Sequence, residues 1–276
     1  MVDIKLIQGD CLEKMKDIPD GSVDMILCDL PYGTTACKWD SVIPFEPLWE
    51  QYHRITKKNA AIVLTASQPF TTALISSNLK EFRYCWVWQK TIGTNPMLTK
   101  KQPFKKHEDV CVFYRAQPSY TPQMEHGRPY KDSERKSGLK AIHLDTPGTK
   151  KAIDNKGTRY PSSVQMFSNG NNGNVHPTQK PVALMEYMIR TYTNEGETVL
   201  DNCMGSGTTG VACINTNRNF IGIEIDQGYF DIACKRIEDA QRQAAKTEQM
   251  CRTLGRPYGG MNNIKYRQWL KYGRFH

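Results

Sequence analysis

The sequence predicts an α/β fold with a mostly parallel sheet, and three stretches carry that prediction. Near the C-terminal end the apolar run Thr198-Val199-Leu200 enters a glycine-rich loop and a helix, and a second apolar run, Phe220-Ile-Gly-Ile223, follows. Near the N-terminus, Ile4, Leu6 and Ile7 are followed by a short helical segment and then by Val23-Asp-Met-Ile-Leu27. In the middle, Ala60-Ala-Ile-Val-Leu64 is apolar throughout. Runs of this kind, separated by segments of helical period, belong to buried strands of a sheet covered on both faces. A chain of 276 residues can bury a substantial core, so the expectation is one large α/β domain with an insertion or a small second lobe.

Taken in order, the first strand ends at Gly9-Asp10-Cys11, and a helix is expected from Leu12 to Ile18, stopped by Pro19-Asp-Gly-Ser22. The second strand delivers Asp29-Leu30-Pro31-Tyr32-Gly33 at its carboxyl end, which is where open α/β sheets bind ligands. A carboxylate, a carbonyl held in front of a proline and an aromatic ring suit one chemical task. The exocyclic amine of a nucleobase is a poor nucleophile because its lone pair is delocalised into the ring. Hydrogen bonds from its two hydrogens to the Asp29 carboxylate and the Leu30 carbonyl favour a pyramidal nitrogen that can attack, with Pro31 stiffening the carbonyl and Tyr32 stacking on the base. An ordinary turn after a strand is the competing reading.

Leu48, Tyr52 and Ile55 lie at helical spacing, and Gln68-Pro-Phe70 opens a further helix with Leu74 and Ile75 inward. In residues 82–90 aromatics alternate with other residues, the period of a strand with one bulky, core-facing side. A loop with Lys100, Lys101, Lys105 and Lys106 leads into the strand Asp109-Val-Cys-Val-Phe113. From Arg115 to about Asn174 the apolar period fades and Gly, Pro, Ser, Asn and basic residues increase. Then Pro177, Lys180 and Pro181 introduce a helix carrying Leu184, Met185, Met188, Ile189 and Tyr192 on one face. Thr178 and Lys180 at its start can meet an anionic group, or Thr178 simply caps the helix.

After Leu200 the loop reads Asp201-Asn-Cys-Met-Gly205-Ser206-Gly207-Thr208-Thr209-Gly210. Glycines at 205 and 207 permit positive φ and let a ligand approach main-chain N–H groups. Glu224 ends the next strand about twenty residues later, where a ribose presents its hydroxyls. The acids at 201 and 224 favour an adenosine-containing cofactor over a loop that only packs helix on strand. This pattern alone leaves dinucleotide binding open. A last helix is expected from Gln227 to about Lys246.

Three motifs in one order now resemble a known family. Asp29-Leu-Pro-Tyr-Gly33 resembles the Asp-Pro-Pro-Tyr motif of S-adenosylmethionine-dependent DNA amino-methyltransferases, with leucine where proline is more usual. The Asp201–Thr209 loop is similar to their cofactor motif, and His176-Pro-Thr-Gln-Lys180-Pro181 is similar to the segment preceding that motif in the beta class. The resemblance implies a Rossmann-like class I methyltransferase fold, circularly permuted in motif order, with helices on both faces of the sheet and a terminal antiparallel hairpin. It implies a catalytic half at 1–114, a target-recognition region at 115–174, a cofactor-binding half at 175–248 and a basic tail at 249–276. Asp10, Thr178, Lys180, Asp201, Gly205, Ser206, Gly207, Thr208, Thr209 and Glu224 would hold S-adenosylmethionine, leaving S-adenosylhomocysteine as product. Asp10 would bond the adenine or cap the helix at Leu12. Asp29, Leu30, Pro31 and Tyr32 would act on a flipped adenine in double-stranded DNA, at N6. N4 of cytosine and a silent DNA-binding protein are the alternatives. The four lysines border the base pocket and touch phosphate, or are solvated surface.

Composition agrees with a polyanionic partner: 37 Lys and Arg stand against 28 Asp and Glu, net +9, and lysines that neutralise phosphates release condensed counterions. Nine cysteines lack C-x-x-C pairs or histidines at ligand spacing, so reduced thiols and no metal site are expected. The start lacks an apolar signal core and no run is long enough to span a bilayer, so a cytoplasmic protein is expected. The basic, aromatic-rich tail touches DNA, packs on the core or forms a homodimer contact, and the sequence does not choose.

Overall fold

The apolar runs become strands of one eight-stranded sheet in the computed structural model, which describes residues 2–33, 40–132, 135–136, 149–150, 153–169 and 179–253. The strands are β1 (Ile4–Gln8), β2 (Val23–Asp29), β3 (Thr56–Ala66), β4 (Phe82–Thr94), β5 (Lys105–Phe113), β6 (Val164–Phe167), β7 (Thr198–Asp201) and β8 (Asn219–Glu224). Their spatial order is β1-β8-β7-β2-β3-β5-β4-β6. All neighbours pair in parallel except those of β5, which runs antiparallel to both β3 and β4.

Alternation along each buried strand separates two cores. Met25, Leu27, Ala61 and Val63 face one side, where they meet α4 (Val182–Tyr192), α5 (Thr208–Asn215) and α6 (Gln227–Thr253). Ile26, Cys28, Ile62 and Leu64 face the other, against α1 (Cys11–Met15), α2 (Phe45–Ile55) and α3 (Phe70–Ser77). Burial on both faces is why these strands read as unbroken apolar runs. The expected helical faces hold: Leu48, Tyr52, Ile55, Leu74, Leu184, Met185, Met188, Ile189 and Tyr192 are buried, as are Trp86 and Trp88 of β4.

Two features extend beyond the sequence reading. The β4–β5 hairpin continues to Thr94 and Lys105, well past the apolar part of each strand, because its outer pairs are held by backbone bonds and need no buried side chains. It also lies one strand in from the edge, since β6 pairs in parallel with β4, Val164 opposite Val87. Val164 and Met166 are exposed, while Phe167 packs against the core beside Tyr187. The last helix likewise runs to Thr253.

The chain divides into two compact units, Met1–Thr121 with Ser163–His276, and Pro122–Ser162. In the smaller one, three short antiparallel ladders nest along one ribbon: Glu125–His126 with Thr158–Arg159, Tyr130–Asp132 with Ile153–Asn155, and Arg135–Lys136 with Thr149–Lys150. Arg159 stacks on Tyr130, 4.6 Å from the ring centroid, and donates to Asn155 Oδ1 and to the Arg128 carbonyl, each at 2.6 Å. Among the described residues no helix is long and apolar enough to cross a membrane.

Candidate active site

Strands from opposite ends of the chain meet at the centre of the sheet. β7 lies beside β2, with Val199 opposite Met25 and Leu200 opposite Ile26. From β7 the chain crosses through α5 to β8 on one side, and from β2 through α2 to β3 on the other. Crossovers that diverge in this way leave a crevice at the carboxyl ends of the two strands. A cavity of about 460 Å³ lies there, a size suited to a small-molecule ligand. Asp29, Leu30, Pro31 and Tyr32 line it from β2, and Asp201, Gly205, Ser206, Thr208, Thr209 and Glu224 from the β7–β8 half.

Asp29 is held by three donors. Oδ1 accepts from the Tyr32 hydroxyl at 2.8 Å and from the Thr65 hydroxyl, and Oδ2 accepts from the Lys180 ammonium at 2.6 Å. Thr65 is the register partner of Asp29 on β3. The Tyr32 ring stacks on Phe70, centroids 5.1 Å apart at 25°. Burial first, then the Asp29 charge, hold the Tyr32 phenol well above its ordinary pKa, so it stays a donor. Lys180 is only 6% exposed and its ammonium also lies 3.4 Å from Glu108 Oε2. Burial alone would depress its pKa, but the attraction of Asp29 and then Glu108 outweighs this and holds it above the usual value. The sequence reading pointed Lys180 at an anionic group of the cofactor; in the structure its ammonium is on Asp29, while Gln179 beside it accepts from the Ser206 hydroxyl of the glycine loop at 3.3 Å.

On the other side the loop is built by its own acids. Gly205 and Gly207 both have positive φ, +51° and +77°, as the sequence requires. A Cβ on Gly205 meets no atom within 4 Å, which leaves this backbone clear toward the cavity. Glu224 draws the loop against β8: Oε2 accepts from Gly205 N at 2.8 Å and Oε1 from Asp226 N at 2.9 Å. Each carboxylate oxygen keeps a second lone pair, so ribose hydroxyls still find acceptors there. Asp201 accepts from Cys203 N at 3.1 Å and from the Thr209 hydroxyl at 2.6 Å, and burial pushes its carboxyl up to about 6. Its bonds are spent inside the loop, so it shapes the cradle. Asp10 Oδ1 caps α1, accepting from Leu12 N and Glu13 N at 2.9 and 3.2 Å, while its side chain also lines the cavity. Both roles weighed for Asp10 are therefore sterically open to it. An adenosine-containing cofactor fits this donor and acceptor set.

The model of a family described as DNA methylase matches residues 23–235. The chain belongs to this N6/N4 DNA methylase family. The methylase is 27% identical over 255 residues to the Type II methyltransferase M.HpaI of Haemophilus parainfluenzae, spanning 86% of this chain and 75% of the relative. It is 28% identical over 279 residues to the DNA adenine methyltransferase YhdJ of Escherichia coli K12, spanning 93% and 90%. Among solved structures, a complex of M1.HpyAVI with SAM superposes with a TM-score of 0.57 at 24% identity, over 84% of this chain and 99% of that one. The cytosine-N4-specific PvuII DNA methyltransferase gives 0.61 at 14% identity, over 88% and 92%. These two share the methylase's fold.

Several residues of the methylase's site gave little sign in the sequence. Thr65 ends an apolar run at the carboxyl end of a strand, the same position that singled out Asp29, and could have been found that way. Glu108 sits in a charged stretch with nothing to distinguish it. Arg236 of α6 donates to the Ser206 carbonyl and, at 2.7 Å, to its hydroxyl, and no local pattern ties residues so far apart. Lys100, Lys101 and Lys106 are exposed, whereas Lys105 is half-buried with its ammonium on the Ser67 hydroxyl. Lys105 thus separates from the other three. Thr178, with His176 and Pro177, lies outside the described residues, as does the tail beyond Thr253.

Proposed function

We propose that the methylase transfers a methyl group from S-adenosylmethionine to N6 of an adenine extruded from duplex DNA. The observation that carries this reading is that Asp29 and the Gly205 loop line one cavity at the junction of β2 and β7. The family's description as DNA methylase supports DNA as substrate, and YhdJ, named as a DNA adenine methyltransferase, supports both DNA and the base. An aspartate opening the Asp29–Tyr32 motif fits the same choice.

The cofactor supplies an electrophilic methyl group on a sulfonium, so neither a metal nor a covalent enzyme intermediate is called for. Glu224 and Asp10 would hold it by carboxylate acceptors, and the Gly205 backbone would let it approach with no side chain in the way. The work of the protein is then positioning and charge. Asp29 accepts one hydrogen of the target amine and the Leu30 carbonyl the other, which frees the nitrogen lone pair. The Tyr32 and Thr65 hydroxyls fix the carboxylate from Oδ1. After transfer the amine gives up a proton to Asp29 or solvent. The exposed Lys100, Lys101 and Lys106 are offered to phosphates, and the Pro122–Ser162 ribbon to base edges.

Methylating an unmodified plasmid with the purified chain and identifying the modified nucleoside by mass spectrometry tests the proposal. N6-methyladenine is the expected product. N4-methylcytosine, or no DNA product with the cofactor bound, overturns it.

A further inference from the structure

The ammonium of Lys180 stands between two carboxylates that are not equally engaged. On one side Asp29 Oδ2 takes it at 2.6 Å. On the other, Glu108 gives Oε1 to Lys90 at 2.5 Å, while Oε2 is buried, makes no hydrogen bond and lies 3.4 Å from Lys180. A buried carboxylate oxygen without a hydrogen bond is costly, and the Lys180 ammonium already pairs with it by charge at 3.4 Å. The same geometry poses a problem for the reaction. Oδ1 of Asp29 already accepts from Tyr32 and Thr65, so Oδ2 is the oxygen left for a substrate amine, and there the amine shares it with the Lys180 ammonium, whose charge weakens it as an acceptor.

We propose that Lys180 is a positioning residue that hands over: it holds Asp29 while the pocket lacks a base and moves to Glu108 Oε2 when the target amine arrives. This rests on the reading of Asp29 as the amine acceptor. The exchange leaves each carboxylate oxygen with a donor. Asp29 trades an ammonium for the amine N–H, Glu108 gains the hydrogen bond it lacks, and Lys180 stays protonated throughout. Glu108 is suited to receive, because although burial works against its charge, Lys180 and then Lys90 hold its pKa below the usual carboxylate value. The pair of positions is a two-state element, and the base shifts its balance only by binding one state better. Lys90, above the Trp88 ring at 4.9 Å, keeps the receiving carboxylate in place.

The test is a double-mutant cycle on the full chain, with methyl transfer to duplex DNA, fluorescence of 2-aminopurine at the target position and S-adenosylmethionine affinity as readouts. Glu108→Gln removes the receiving charge and traps Lys180 on Asp29, so a rise of about tenfold in KM for DNA and a loss of the 2-aminopurine signal are expected, with cofactor affinity kept. Glu108→Asp restores most of both. In a Lys180→Met background there is nothing to hand over, and adding Glu108→Gln changes KM little further. Equal effects of Glu108→Gln in both backgrounds, or a wild-type KM and fluorescence in the single variant, overturn the hand-over. Absence of DNA methylation by the wild-type chain refutes the proposed function itself, a separate outcome from either.

Discussion

The hydroxyl of Tyr52 donates to Oδ1 of Asn202 at 2.6 Å, fully inside the protein. It joins α2, which follows β2, to the first turn of the Gly205 loop, 150 residues away in the chain. Tyr52→Phe removes the donor and leaves a buried amide oxygen unpaired, at a cost of about 1–3 kcal/mol. Urea unfolding should show that loss together with weaker S-adenosylmethionine binding. Wild-type stability in the variant would mean that the contact does not hold the loop.

Asp29→Asn keeps the shape of the acceptor and removes its charge. Loss of one preorganised electrostatic partner costs about 10²–10³ in kcat, and the cofactor dissociation constant should stay within a few-fold because the Gly205 side of the cavity is untouched. Single-turnover methyl transfer and cofactor titration separate the two. A variant that keeps its rate would remove Asp29 from the chemistry.

Tyr32→Phe keeps the ring on Phe70 and deletes the 2.8 Å bond to Asp29 Oδ1. A hydrogen bond to a charged group contributes about 1.5–3 kcal/mol, so kcat should fall by about 10- to 100-fold and the melting temperature by several degrees. Tyr32→Ala also gives up the stacking contact and should lose more of both.

The Asp201 carboxyl titrates at about 6 because burial opposes its charge, against an ordinary value of 3.8. A carboxyl whose folded pKa is raised lowers stability above that pKa, and the penalty fades as pH falls from about 6 toward 3.8. Two units correspond to about 3 kcal/mol. Asp201→Asn carries no such penalty, so its melting temperature relative to wild type should decline between pH 7 and pH 5. A gap that is constant across this range would show that the buried carboxyl titrates normally.

Lys100→Ala and Lys101→Ala should weaken DNA binding on any sequence and lower the slope of log K against log salt by about one per lost phosphate contact. Lys105→Ala breaks the link to Ser67 and should act on hairpin stability with little change in slope. Filter binding over a salt series distinguishes them. An equal fall in slope for Lys105→Ala would put all four lysines on the DNA.

Much of this protein could be read from local pattern. The runs at 23–27, 60–64 and 198–200 are apolar because their strands are covered on both faces. The face of α4 follows from the spacing of Leu184, Met185, Met188, Ile189 and Tyr192. Positive φ at Gly205 and Gly207 follows from a sharp strand-to-helix turn, and the motif around Asp29 follows from what an aromatic amine needs in order to attack. Each is settled within a few residues of chain, by period, steric freedom or bond chemistry.

Other features came only from the fold. The edge strand at Val164–Phe167 is a four-residue run, mostly apolar, inside a polar stretch, too short for its period to name β4 as its partner. Asp201 and Glu224 were legible as acids near a cofactor, but their bonds to Thr209, Cys203 and Gly205 show that they first build the loop. Lys180 was legible as a cation near the site, but not its partner, because Asp29 lies 151 residues earlier and Glu108 on yet another strand. Strand order and crossover direction decide which charges meet in the interior, and desolvation there makes each pairing count, whereas spacing along the chain carries neither.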